Sequence, residues 1–133
     1  DNSPTSDYKY YLQNEKKMEL EKIYNMLVKL RDRGHVVAVR PHPLYSDKSL
    51  IKKIFEDISI ENEDVDIYKS ISSTKCVVAK YSTVIFQAYC NDINFAIDDL
   101  TNRKLYLQLK SLKYMMINKS NILLSDILGE YEM

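Results

Sequence analysis

The run Val36-Val37-Ala38-Val39, closed by Arg40-Pro41-His42-Pro43, constrains this chain more than any other stretch. A short apolar run without alternation reads as a parallel strand buried on both faces, and prolines, lacking an amide N–H, stop the pairing just beyond it. Such a strand delivers one imidazole, that of His42, to an edge of a sheet. A second run of the same kind, Cys76-Val77-Val78-Ala79, ends in Lys80-Tyr81-Ser82-Thr83 and passes into a helical pattern. Two strands then present polar groups at one edge, and in open α/β sheets that edge is where ligands sit.

The stretches between these runs supply helices. From about Tyr10 to Arg33, Leu20, Ile23, Tyr24, Leu27 and Leu30 recur at helical spacing, Lys29, Arg31 and Arg33 suit the negative end of the dipole, and Gly34 supplies a left-handed stop. Ser46 and Asp47 open a second helix with Leu50, Ile51, Ile54 and Phe55 on its apolar face. Ile58 to Ile60 is a weaker strand, Asp64 caps a short helix through about Ser72, and Ser82 or Thr83 begins a helix along Val84, Ile85, Phe86 and Ala88. Asn91-Asp92 makes a turn into a strand at Ile93 to Ile97. Leu105, Leu109 and Leu112 mark another helix, Tyr114 to Ile117 a last strand, and Asn121 to Leu128 a final helix ended by Gly129. Strands alternating with helices predict an α/β, Rossmann-like domain whose mostly parallel sheet is covered by helices on both faces. Asp1 to Asp7 is polar, so residues 1–9 are expected to be a lead-in or linker remnant and 10–133 the folded domain. Tyr8, Tyr10 and Tyr11 are expected as a surface cluster. The pattern starts on a helix where a doubly wound domain starts on a strand, so the chain is expected to be a piece cut from something longer.

Composition narrows the function classes. At 133 residues one domain is expected, and it can bury about two thirds of its unfolded surface. The 19 basic and 19 acidic side chains cancel and are interspersed, which argues against nucleic acid or an anionic membrane as partner. No apolar run approaches a membrane span, and the amino-terminal residues lack the pattern of a signal peptide, so a soluble, cytoplasmic domain is expected. The two cysteines, Cys76 and Cys90, lack the spacing of a zinc or redox motif and read as reduced thiols. Glycine occurs only at positions 34 and 129, which excludes the P-loop and the Gly-x-Gly-x-x-Gly fingerprint, so any phosphate is held another way.

A helix start after a parallel strand offers backbone N–H groups and a partial positive charge, and Ser82 and Thr83 add hydroxyls, so one or two phosphates can be held without glycine or metal. His42 at the neighbouring strand end can donate a hydrogen bond, charge-assisted when protonated, to a departing phosphate oxygen. Taken singly, Ser82 is accounted for as a helix cap and His42 as a loop residue held by prolines; their joint position favours a site. Arg40 either contacts a phosphate or pairs with a carboxylate. Asp98-Asp99 closes a strand at the same edge, where it meets a ribose or base or simply forms a turn. Asp64-Val65-Asp66 has metal-motif spacing, but a helix cap at Asp64 is the better account. His35 reads as a strand-edge residue.

Pro41-His42-Pro43 after one buried strand, Tyr81-Ser82-Thr83-Val84-Ile85-Phe86-Gln87-Ala88 after a second, and then Ile93 to Asp98 together resemble the C-terminal, donor-binding half of GT-B glycosyltransferases, specifically bacterial sialyltransferase and polysialyltransferase-like enzymes of capsule and lipooligosaccharide synthesis. The likeness runs from about Tyr8 to Asp99. It implies a metal-independent glycosyltransferase without a resident cofactor, with His42 as the catalytic group. His42-Pro43 and Ser82-Thr83 would engage the CMP part of a CMP-sialic acid donor. Gln87 stands where related transferases often carry a glutamate reaching the ribose. The acidic motif before glycine that supplies the acceptor base belongs to the family's N-terminal half, so the resemblance implies a partner domain, a glycan acceptor and no transfer by this chain alone. In a full-length enzyme it implies a peripheral place at the inner face of the membrane. The alternatives are a transferase half using a UDP-sugar or CDP-glycerol, and a non-catalytic α/β interaction module.

Overall fold

The computed structural model describes residues 5–81, 83–111 and 122–129. Six strands, β1 (Ser6–Tyr11), β2 (Val37–Arg40), β3 (Ser59–Ile60), β4 (Thr74–Ala79), β5 (Asn94–Ile97) and β6 (Ile122–Leu123), pair in parallel in the order β3-β2-β1-β4-β5-β6. The helices are α1 (Lys17–Asp32), α2 (Lys48–Ile54), α3 (Ile67–Ser72), α4 (Thr83–Cys90), α5 (Arg103–Ser111) and α6 (Leu124–Leu128). The fold is α/β and Rossmann-like, and its strand order reverses between β1 and β4.

Each face of the sheet has its own core. On one face Tyr10, Val37, Val39, Cys76, Val78 and Ala96 pack against α1, α2 and α6, and on the other Tyr11, Val77, Ala79 and Ile97 pack against α3, α4 and α5. Helix α1 buries Leu20, Ile23, Met26, Leu27 and Leu30 at the spacing its sequence predicts, each contributing roughly 1.5–3 kcal/mol. It ends at Arg33, and Gly34 takes the left-handed conformation (φ 94°) that a side chain would resist. Asp47 caps α2 by accepting the amide hydrogen of Leu50. The cap of α3 is Asp66, two residues beyond the expected Asp64, because its carboxylate reaches the amides of both Tyr68 and Lys69. Tyr106, not part of the expected leucine stripe, is the buried residue of α5. The strand expected at Tyr114 to Ile117 lies outside the described residues, as does Leu112; β6 at Ile122–Leu123 precedes a final helix shorter than expected.

The largest correction concerns the amino-terminal stretch. Residues 6–9, expected as a lead-in, and Tyr10-Tyr11, expected as the start of a helix and part of a surface cluster, form β1, the strand between β2 and β4. The strand that the pattern lacked is therefore within the chain. Tyr10 and Tyr11 are buried on opposite faces and Tyr8 packs partly buried beside Tyr10. The misreading has a physical cause in Lys9, a cation only 2 % exposed in the middle of the strand. Its Nζ is satisfied by Glu61 at 2.5 Å, the Ser70 carbonyl at 3.0 Å and the Ser73 hydroxyl at 2.6 Å, all more than fifty residues away. A buried charge persists only with such partners, and nothing local in the sequence announces them.

Candidate functional site

Three strands deliver loops to the carboxyl edge where the order reverses. Leu12 to Lys16 follow β1, Pro41 to Asp47 follow β2, and Lys80 and Tyr81 follow β4. Between them lies a crevice of about 600 Å³, within the range of small-molecule sites. Arg40, His42, Pro43 and Tyr45 line one wall, Tyr81, Thr83 and Gln87 the other, and Tyr11, Gln13 and Asn14 come from β1 and its loop. Five of the seven residues expected at a nucleotide site, Arg40, His42, Pro43, Thr83 and Gln87, thus share one cavity. Ser82 lies outside the described residues.

His42 is half-buried and held by its own loop. Its Nδ1 accepts the amide hydrogens of Leu44 at 3.1 Å and Tyr45 at 3.3 Å, and its ring stacks on Tyr45 with centroids 4.7 Å apart. An Nδ1 that accepts twice puts the ring proton on Nε2, the remaining polar atom of the imidazole.

Arg40 both lines the crevice and pairs with a carboxylate. Its Nη1 lies 2.7 Å from Glu61, which also accepts from Lys9 and, at 2.5 Å, from the Ser70 hydroxyl. Burial acts to raise the pKa of Glu61, but hydrogen bonds from Lys9, Ser70 and Arg40 outweigh it and hold the carboxyl below its usual range. Two cations, Lys9 and Arg40, thus share the Glu61 carboxylate, and of the three Arg40 lines the crevice. Burial lowers the pKa of Lys9, opposed by Glu61. Tyr11, whose hydroxyl is 2.7 Å from Ser70 Oγ, has its pKa raised by the same burial.

Asp98 is not at the crevice. Its carboxylate is buried and accepts hydrogen bonds from the Tyr10 hydroxyl, from the Thr101 hydroxyl at 2.5 Å, and from the amides of Leu100 at 2.9 Å and Thr101 at 3.0 Å. Burial, and then the charge of Asp98, push the Tyr10 hydroxyl well above its usual range, which keeps it a donor. Asp99 likewise faces inward, accepting from the amide and hydroxyl of Ser125 in α6 at 3.0 and 2.6 Å. Both carboxylates hold the turn after β5 to the fold, because four donors converge on Asp98 and three, with Arg103 at 3.3 Å, on Asp99 from within the protein, and the expectation that Asp98 meets a nucleotide is corrected.

The amino end of α1, where dinucleotide folds place a pyrophosphate, is occupied by the chain's own carboxylates. Glu15 accepts the Gln13 amide hydrogen at 2.7 Å and Glu19 that of Lys16 at 3.1 Å. Lys80, at the end of β4, is nearly buried and stands 3.1 Å from Glu15 and 3.8 Å from Glu19. The amino end of α4, at Thr83, is the helix start that opens on the crevice.

Sequence reasoning missed Tyr11, Gln13, Asn14 and Tyr45 as lining residues, and Ser46 and Glu15 as their supports. For the first three the signal was their place at and just after the end of a strand, which the reading as helix concealed. Among the described residues no helix is long and apolar enough to cross a membrane. No family model matches the chain, and no curated protein matches it.

Proposed function

We propose that the chain is the donor-nucleotide-binding domain of a glycosyltransferase of the sialyltransferase-like GT-B kind, taking CMP-sialic acid for cytoplasmic synthesis of capsule or other surface glycans. The observation that carries this reading is the meeting of His42-Pro43 and Thr83-Gln87 on opposite walls of one crevice at the reversal of strand order. The phosphate of the nucleotide sits between the start of α4 and the His42 wall, favoured by the helix dipole and by the Arg40 guanidinium in the lining. The self-capped start of α1 leaves α4 as the anion-binding end. In the transfer step the bond from the anomeric carbon to the phosphate oxygen breaks, a bond to the acceptor oxygen forms, and the nucleotide leaves with its oxygen stabilised by the hydrogen on His42 Nε2. The acceptor hydroxyl gives its proton to a base on a partner domain.

Calorimetric titration of the chain with CMP tests the reading, with UMP and AMP as comparisons. CMP is expected to bind, and His42→Ala and Thr83→Val are each expected to weaken it about tenfold, the value of one lost hydrogen bond to a phosphate. Absence of nucleotide binding, or unchanged affinity in both folded variants, refutes it.

A further inference from the structure

We infer that Ser46 and Gln13 are positioning residues that clamp the two walls of the crevice to the loop after β1. The Ser46 hydroxyl accepts the amide hydrogen of His42 at 2.8 Å and donates to the carbonyl of Gln13 at 3.0 Å, so both of its hydrogen-bonding capacities join the histidine wall to that loop. On the other side the Gln13 side-chain amide donates to the carbonyl of Tyr81, two residues before Thr83. The loop is anchored in turn, since the Gln13 amide hydrogen goes to Glu15 and Glu15 faces the buried Lys80 at the end of β4. One connected path, His42 to Ser46 to Gln13 to Tyr81, therefore crosses the crevice from wall to wall.

This arrangement does what glycine and a tight turn do in other nucleotide folds, by a different route. The loop Leu12-Gln13-Asn14-Glu15 contains no glycine and its width is set by side chains from its neighbours. A crevice whose walls are already tied loses less freedom when a ligand enters. Ser46 and Gln13 are only half-buried, so replacing them empties no core.

The test has two arms. In the ligand-free protein, amide hydrogen exchange is followed by NMR in the parent, Ser46→Ala, Ser46→Thr and Gln13→Met. Ser46→Ala is expected to speed exchange at His42 by roughly three- to tenfold, the loss of one ordinary hydrogen bond, and Ser46→Thr to restore it. Gln13→Met, whose side chain does not reach His42, is expected to speed the same amide by a similar factor. Exchange at His42 unchanged in Gln13→Met means that each contact acts only locally and overturns the clamp. The second arm, which rests on the nucleotide reading above, uses CMP as probe. Both variants are expected to weaken binding, and the double variant by less than the product of the two, because they break one path. Strictly multiplicative losses overturn the clamp. Failure of CMP to bind the parent refutes the nucleotide reading alone, and the exchange arm then decides the clamp by itself.

Discussion

Replacing Asp98 with alanine should cost stability and leave ligand affinity intact in the protein that remains folded. Four donors converge on the carboxylate, two hydroxyls on Oδ2 and two amides on Oδ1. Hydrogen bonds to a charged acceptor contribute about 1.5–3 kcal/mol each, but the carboxylate's own desolvation offsets much of that sum. The Tyr10 hydroxyl, on a side chain 1 % exposed, cannot regain water and alone costs about 1–3 kcal/mol when orphaned. The net expectation is a loss of about 3–5 kcal/mol, about a fifth or more of the roughly 5–15 kcal/mol available to a domain. Asp98→Asn retains an oxygen for the two amides and is expected to lose about half as much. Urea unfolding followed by circular dichroism measures both. A loss under about 1 kcal/mol in Asp98→Ala, or abolished nucleotide binding at unchanged stability, would refute the structural assignment and return Asp98 to the site.

Glu61 makes stability depend on pH, since a carboxyl held below its ordinary value of 4.5 contributes stability that is present above that value and lost as pH falls through the lowered one. Urea midpoints should therefore drop between about pH 6 and pH 3, and Glu61→Gln should lower the upper value and flatten the drop; an unchanged slope counts against the network. Of the two thiols, Cys90 is exposed, whereas burial pushes Cys76 up to about 12. A thiol reagent should modify Cys90 at once and Cys76 only at the rate of unfolding, with Cys90→Ser removing the fast phase; equal rates would contradict the packing of β4.

The elements legible in the sequence are those whose partners are generic. Val37–Arg40 and Thr74–Ala79 are strands because unbroken apolar runs are buried whatever packs on them, and α1 shows its face because leucines and isoleucines need only an oily surface. From these runs alone the Rossmann-like class and the carboxyl edge follow; of the residues the sequence set together there, His42 with Ser82-Thr83, the crevice brings His42 and Thr83 together. The rest depended on specific partners far along the chain. Lys9 makes β1 look like a polar lead-in until Glu61, Ser70 and Ser73 arrive around its ammonium, and with β1 unseen its loop, half of the crevice, went unseen too. Asp98 reads as an exposed strand-end acid until the Tyr10 hydroxyl, 88 residues away, meets it in the core. Apolar burial is a property of a residue and its period, and the sequence carries it. The burial of a charge is a property of a pair, and only tertiary structure decides which distant groups make the pair.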